Sequence, residues 1–330
     1  MTETQTPRRL EQLLSRKAQG VRSWLPASAA PPAIPLLILA GGVPDPAELP
    51  FSAVAEATTA VMENPDDRHL ALQYGGPQGP PPLRQELAEW IGRLDGIELT
   101  REHFMLAGGS AQALDNICRT FLDPGDAVIV ESPTFSGSIR SFRGQEVVIY
   151  GVPLDEKGIR TDELRSTAER IRGEGKPLKL IYTIANFHNP AGVTMVLERR
   201  QELVKIAREY EALIVEDAAY DGLRFEGEDL PSLFTLAGGE GVIRIGTFSK
   251  IIATGLRLGY SQAEPEVIQA LVNMRFDMGT SPLTARMVVE LMRNGAMEEH
   301  RLRMIDLYRR KRDVMLEALE EHCAQYCSWS

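Results

Sequence analysis

Between residues 104 and 215 short apolar runs alternate with helical patterns, and this alternation restricts the possible folds more than any other feature of the chain. The runs 104–107, 127–130, 146–150, 178–183 and 212–215 read as strands, and 110–121, 162–172 and 197–210 read as the helices between them. Strands this short and apolar, separated by amphipathic helices, pair mostly in parallel and are covered on both faces. The expectation is an α/β architecture. A further strand is expected at 241–245. After Gly259 three helical patterns follow, at 265–275, 282–293 and 297–322, the last long and charged and expected to lead into a smaller domain. A proline-rich patch at 26–35 reads as an arm or linker.

A length of 330 residues with 43% hydrophobic content allows a large core. The formal net charge of -10 argues against nucleic acid as a partner. The apolar stretch 34–43 is broken by Pro35, is too short to span a bilayer, and follows no signal-peptide layout, so no membrane partner is expected. Three cysteines, Cys118, Cys323 and Cys327, are too few for a disulfide framework and fit a reducing, cytoplasmic compartment. Cys323 and Cys327 lie one helical turn apart without a second ligand pair nearby, and the five histidines are scattered. No metal site is expected.

The chemistry-bearing residues fall on loops at strand ends, where α/β folds gather their ligands. Lys250 follows the strand at 241–245 and is flanked by Thr247 and Ser249, with Arg257 seven positions on. A lysine nucleophile beside hydroxyls and a planar cation, without a glycine-lysine-threonine phosphate loop, points to pyridoxal 5'-phosphate rather than ATP. In Gly108-Gly109-Ser110-Ala111 a strand enters a helix through two glycines, which aims free N–H groups at an anion; an ordinary helix start with Ser110 as N-cap reads the same way. Phe135, at a turn after a buried strand, can stack on a flat heteroaromatic ring or simply pack in the core. Asn189 can donate to a phenolate oxygen, although an Asn-Pro turn alone means little. Asp217 ends an apolar strand, where a carboxylate needs a partner: a protonated pyridine nitrogen, a helix cap or a structural ion pair. Tyr220 is three residues further on and can hydrogen-bond the same phenolate oxygen.

Together these pieces resemble the fold type I, pyridoxal-phosphate-dependent aminotransferases of class I/II, in the branch of 2-aminoadipate and kynurenine aminotransferases and of MocR-type regulators. The matching segments run in order from Ala40-Gly41-Gly42-Val43-Pro44-Asp45 through Leu72-Gln73-Tyr74-Gly75, Gly109-Ser110, Pro133-Thr134-Phe135, Asn189-Pro190-Ala191-Gly192 and Asp217-Ala218-Ala219-Tyr220 to Ser249-Lys250 and Gly255-Leu256-Arg257-Leu258-Gly259. They cover roughly residues 35–325. The resemblance implies a mostly parallel seven-stranded sheet between helices, plus a smaller domain built from both termini. Its expected divisions are an arm and small-domain segment at 1–45, a large cofactor-binding domain at 46–290, and the incomplete start of a C-terminal small domain at 291–330.

Position by position, the resemblance implies that Lys250 carries the cofactor as a Schiff base and shuttles a proton at Cα. Asp217 pairs the ring nitrogen, Asn189 and Tyr220 hold the phenolate oxygen, and Phe135 stacks where tyrosine is common. Ser110, Ala111, Thr247, Ser249 and Arg257 bind the phosphate, while Gly42 and Asn189 border the substrate. Tyr74 reaches the cofactor of a second subunit, which implies a homodimer with shared sites. The implied reaction is ping-pong transfer of an amino group from an α-amino acid to a 2-oxo acid; elimination, decarboxylation and cofactor binding without turnover use the same residues. His188, Ala185 and Ala191 stand where glutamine, proline and threonine are usual. Family members run on past a position such as Ser330 and there carry the arginine that grips the α-carboxylate. The chain is therefore expected to be a shortened version of a longer protein, or one whose carboxylate grip is lost or rebuilt. A regulator is not expected, since the segment ahead of Gly41 is too short for a winged helix and lacks a basic recognition helix.

Overall fold

The computed structural model describes residues 13–15, 17–18 and 42–329. The proline-rich patch, most of the 1–45 arm and Ser330 lie outside them.

A run of helices comes first: α1 (Phe51–Glu63), α2 (Arg68–Ala71) and α3 (Pro81–Asp95). The last begins on proline, whose missing N–H costs nothing in a first turn, and ends on Gly96 in the left-handed conformation. Then the alternation starts: β1 (Phe104–Ala107), α4 (Ser110–Phe121), β2 (Ala127–Ser132), α5 (Ser136–Arg143), β3 (Val148–Asp155), β4 (Gly158–Ile159), α6 (Thr161–Gly173) and β5 (Leu178–Thr183). It continues through α7 (Leu197–Glu209), β6 (Leu213–Asp217), α8 (Leu233–Ala237), β7 (Val242–Thr247) and β8 (Gly259–Gln262), and closes with α9 (Pro265–Asn273), α10 (Pro282–Arg293) and α11 (Ala296–Cys323).

The sheet order is β1-β8-β7-β6-β5-β2-β3-β4. The inner pairs β3/β2, β2/β5, β5/β6 and β6/β7 are parallel, while β8 runs antiparallel to both β7 and β1. Side chains alternate across it as a period of two requires. Ala127, Ile129, Ile181 and Ile214 face α6 and α7, whereas Val128, Val130, Tyr182 and Val215 face α4, α5 and α9. Full burial of side chains such as Leu203 or Ile117 contributes about 1.5–3 kcal/mol each.

Three expectations need correcting. The sheet of the described residues has eight strands rather than seven, because β3 outruns β2 and a turn with Gly158 at φ +95° folds the two-residue β4 back against it. The strand expected at 146–150 starts instead at Val148 and runs to Asp155, since Glu146 takes φ +59°, outside strand geometry. The helix expected at 265–275 stops at Asn273, and Arg275 leaves it for contacts elsewhere.

Candidate active site

The parallel strands and β1 all end on one edge of the sheet, and β8 begins there. At this edge lies a cavity of about 810 Å³.

Lys250 enters it from the loop after β7. Its Nζ donates to the Gly42 carbonyl at 2.7 Å, and burial together with the nearby Arg257 lowers its pKa. A lysine so placed releases its proton more readily than one in water. Just before it, Thr247 and Ser249 face each other with hydroxyls 2.9 Å apart. Arg257 closes this side with φ +47°, a backbone conformation costly for a residue with a Cβ, and its Nη2 donates to the Gly108 carbonyl at 2.9 Å.

Opposite stands the N-terminus of α4. Gly109, not Ser110, is the N-cap: it takes φ +93°, and no side chain caps the helix. Ser110 is the first helical residue, so its hydroxyl and the N–H groups of Ser110 and Ala111 border the cavity without a capping partner. Glycine suits 109 because φ +93° is a backbone conformation that residues with a Cβ rarely adopt. A helix N-terminus facing an arginine makes an anion pocket.

Asp217 approaches from the end of β6. It is buried, and its Oδ2 accepts from the Tyr182 hydroxyl at 2.6 Å while Oδ1 accepts from the Ala219 N–H at 3.2 Å. Burial pushes its carboxyl up to about 6 although both hydrogen bonds pull the other way. Tyr220 follows on the same loop, and Asn189 Nδ2 donates to its Oη at 3.1 Å, so the two groups converge from different loops. Burial raises the Tyr220 phenol, with the Asn189 bond opposing. Phe135 lies at the mouth of α5, and its ring rests on Gly137, where a Cβ would overlap it.

Gly42, Ser110, Ala111, Phe135, Asn189, Asp217, Tyr220, Thr247, Ser249, Lys250 and Arg257 therefore all line one cavity. Tyr74 does not; it stands outside, 82% exposed. A flat ring carrying a phosphate and a basic nitrogen fits the groups that line the cavity: an anion pocket, a buried carboxylate, an aromatic ring and a lysine.

Sequence reasoning missed the residues that hold these in place. Tyr182 reads as an ordinary strand residue. Glu131, next to last in β2, accepts from the Thr183 hydroxyl and the Ile184 N–H at 2.7 and 2.9 Å, with His188 Nε2 lying 3.0 Å away. Only a carboxylate closing an apolar run hinted at it, the same signal that singled out Asp217.

Residues 36–329 match the family model for aminotransferase class I and II. The chain is 37% identical to aromatic-amino-acid aminotransferase 1 of Thermococcus litoralis over 324 residues, which are 97% of this chain and 76% of that protein. It is 37% identical to 2-aminoadipate transaminase of Thermus thermophilus over 291 residues, 86% of this chain and 70% of that one. Its structure superposes with a TM-score of 0.88 on kynurenine aminotransferase of Pyrococcus horikoshii, solved in complex with PMP, at 34% identity and covering 97% and 80% of the two chains.

Proposed function

The chain belongs to the class I and II aminotransferases, and from that premise we propose how its cavity works. The protein is a pyridoxal-phosphate-dependent aminotransferase. When bound, pyridoxal 5'-phosphate supplies the electron sink that lets an amino acid lose its Cα proton. The observation that carries the assignment of roles is the convergence of Lys250, Asp217 and Arg257 on one cavity.

Arg257, the Ser110 hydroxyl, the Ser110 and Ala111 N–H groups, Thr247 and Ser249 hold the phosphate. Asp217, costly to ionise without a partner, would pair a ring nitrogen and keep it protonated. Asn189 and Tyr220 would hold a phenolate oxygen, and Phe135 would stack on the ring. Lys250 would hold the cofactor through its Nζ, and that amine, when free, would move the proton at the donor's Cα. Its lowered pKa favours the neutral amine that both tasks need. Gly42 borders the donor, because its carbonyl lies 2.7 Å from Lys250 Nζ at the cavity wall.

Tyr74 reaches the site of a second copy, which makes the working unit a homodimer with shared sites. The relatives' names span aromatic amino acids and 2-aminoadipate, and a cavity of about 810 Å³ has room for donors of that size beside the cofactor. A 2-oxo acid is the acceptor. The few dispersed cysteines support a cytoplasmic location.

Protein loaded with pyridoxal phosphate should show a visible absorption band that an amino donor shifts and a 2-oxo acid restores. Lys250→Ala should lose the cofactor adduct that borohydride fixes to residue 250 in the wild type. Turnover of donors without any 2-oxo acid would replace transamination with elimination or decarboxylation.

A further inference from the structure

Arg275 follows α9 with its side chain only 2% exposed, and all five of its N–H groups are used. Nε donates to Asp277 Oδ1 at 2.5 Å, Nη1 to the carbonyls of Pro77 at 3.1 Å and of Leu106, and Nη2 to Gln112 Oε1 and Asp277 Oδ2, both at 3.2 Å. Gln112 is the link to the cavity. Its Oε1 accepts from the Gly108 N–H at 2.6 Å while its Nε2 donates to Asp277 Oδ2 at 2.9 Å. The Arg275–Asp277 pair thus fixes which way the carboxamide points, since a flipped amide would set its NH2 against the donors of Gly108 and Arg275 and its oxygen against the Asp277 carboxylate.

Gly108 is consequently gripped twice, at its N–H by Gln112 and at its carbonyl by Arg257 Nη2. Gly-Gly is the most permissive dipeptide the chain offers, and the two grips restrict it. Gly109 is held at φ +93°, which sets the direction of the Ser110 and Ala111 N–H groups. The same turn also steadies the segment after Tyr74: Arg275 holds the Pro77 carbonyl, and a Cβ at Gly279 would overlap the Gly76 carbonyl oxygen.

We propose that Arg275, acting through Gln112, is a positioning residue that orients the Gly108–Gly109–Ser110 turn for the cofactor's phosphate. This rests on the reading of the cavity given above. A residue that merely supported the fold would affect every ligand alike, whereas this one acts on the phosphate alone. Binding of pyridoxal 5'-phosphate and of phosphate-free pyridoxal is therefore measured by calorimetry for the wild type, Arg275→Met and Gln112→Leu. In both variants the Kd for pyridoxal phosphate should rise about tenfold or more, the weight of a lost charge-assisted hydrogen bond, while the Kd for pyridoxal stays put. Equal rises for both ligands, or an unchanged Kd for pyridoxal phosphate, overturn the proposal. If Arg275→Met does not fold, Gln112→Leu decides, because Gln112 is only partly buried. A wild type that binds the two ligands equally well overturns the phosphate pocket itself, and the role of Arg275 with it.

Discussion

Asp217 shows at the level of one residue how a site built for a ligand costs the empty protein stability. Burial raises its carboxyl from an ordinary value to about 6, so the folded state holds a proton that the unfolded state has already released. Where the folded state binds more protons, stability falls as pH rises. Without cofactor, the loss begins near pH 4, grows until about pH 6 and then levels off at about 3 kcal/mol. Asp217→Asn should accordingly melt higher than the wild type at pH 8 when both are cofactor-free, with the gap closing toward pH 4, and should bind pyridoxal phosphate more weakly. Calorimetric melting across that range checks it; a wild type as stable as the variant at pH 8 contradicts it. Asp217 was legible in the sequence because a carboxylate ends an otherwise apolar run. Tyr182 and Arg275 were not. Their partners lie on other elements, and nothing in the local composition distinguishes a tyrosine or arginine that reaches across the fold from one that does not.

At the scale of elements, the loops after β5 and β6 are tied together behind the cavity. Asn186 Nδ2 donates to Asp221 Oδ1 at 2.8 Å, Arg200 Nη2 donates to Asn186 Oδ1 at 2.6 Å, and Arg244 on β7 bridges Asp221 and Asp95 at 2.5 and 2.7 Å. This chain of charges sets the spacing between the loops that carry Asn189 and Tyr220. Removing one partner of a buried pair leaves the other uncompensated, so Arg244→Ala should destabilise by about 3–5 kcal/mol. Lys205→Ala, at the exposed pair with Glu202, should change stability by less than about 1 kcal/mol. Urea unfolding of both separates the cases, and similar losses would contradict the account. The parallel strands were legible as apolar runs. β8 was not, because it reads Gly-Tyr-Ser-Gln, and its buried Ser261 and Gln262 owe their place to pairing with β1 and β7 rather than to hydrophobicity.

Across the whole molecule, the turn that carries Arg275 and the segment around Tyr74 form one surface, and both expose large apolar side chains. Phe276 is 81% exposed and Tyr74 82%, with Leu72 and Met278 also open. Apolar side chains gathered this way mark an interface, and they support the proposed homodimer. Phe276→Lys should shift the protein toward monomer in sedimentation velocity and lower turnover with it; a variant that remains dimeric would place the interface elsewhere.

The order of the strands has a consequence for how the protein comes to exist. β1 lies at the edge of the sheet, and its one strand neighbour is β8, the last strand to be synthesised among the described residues. Between Ala107 and Gly259 the chain makes every other strand, yet the Ser110 turn and Arg257 meet only when these two ends close. Closing so long a loop is entropically slow, and local contacts give it little help. A nascent chain halted just after Lys250 would have its parallel strands and its lysine but only half of the anion pocket, so competence to hold a phosphate arrives late in synthesis.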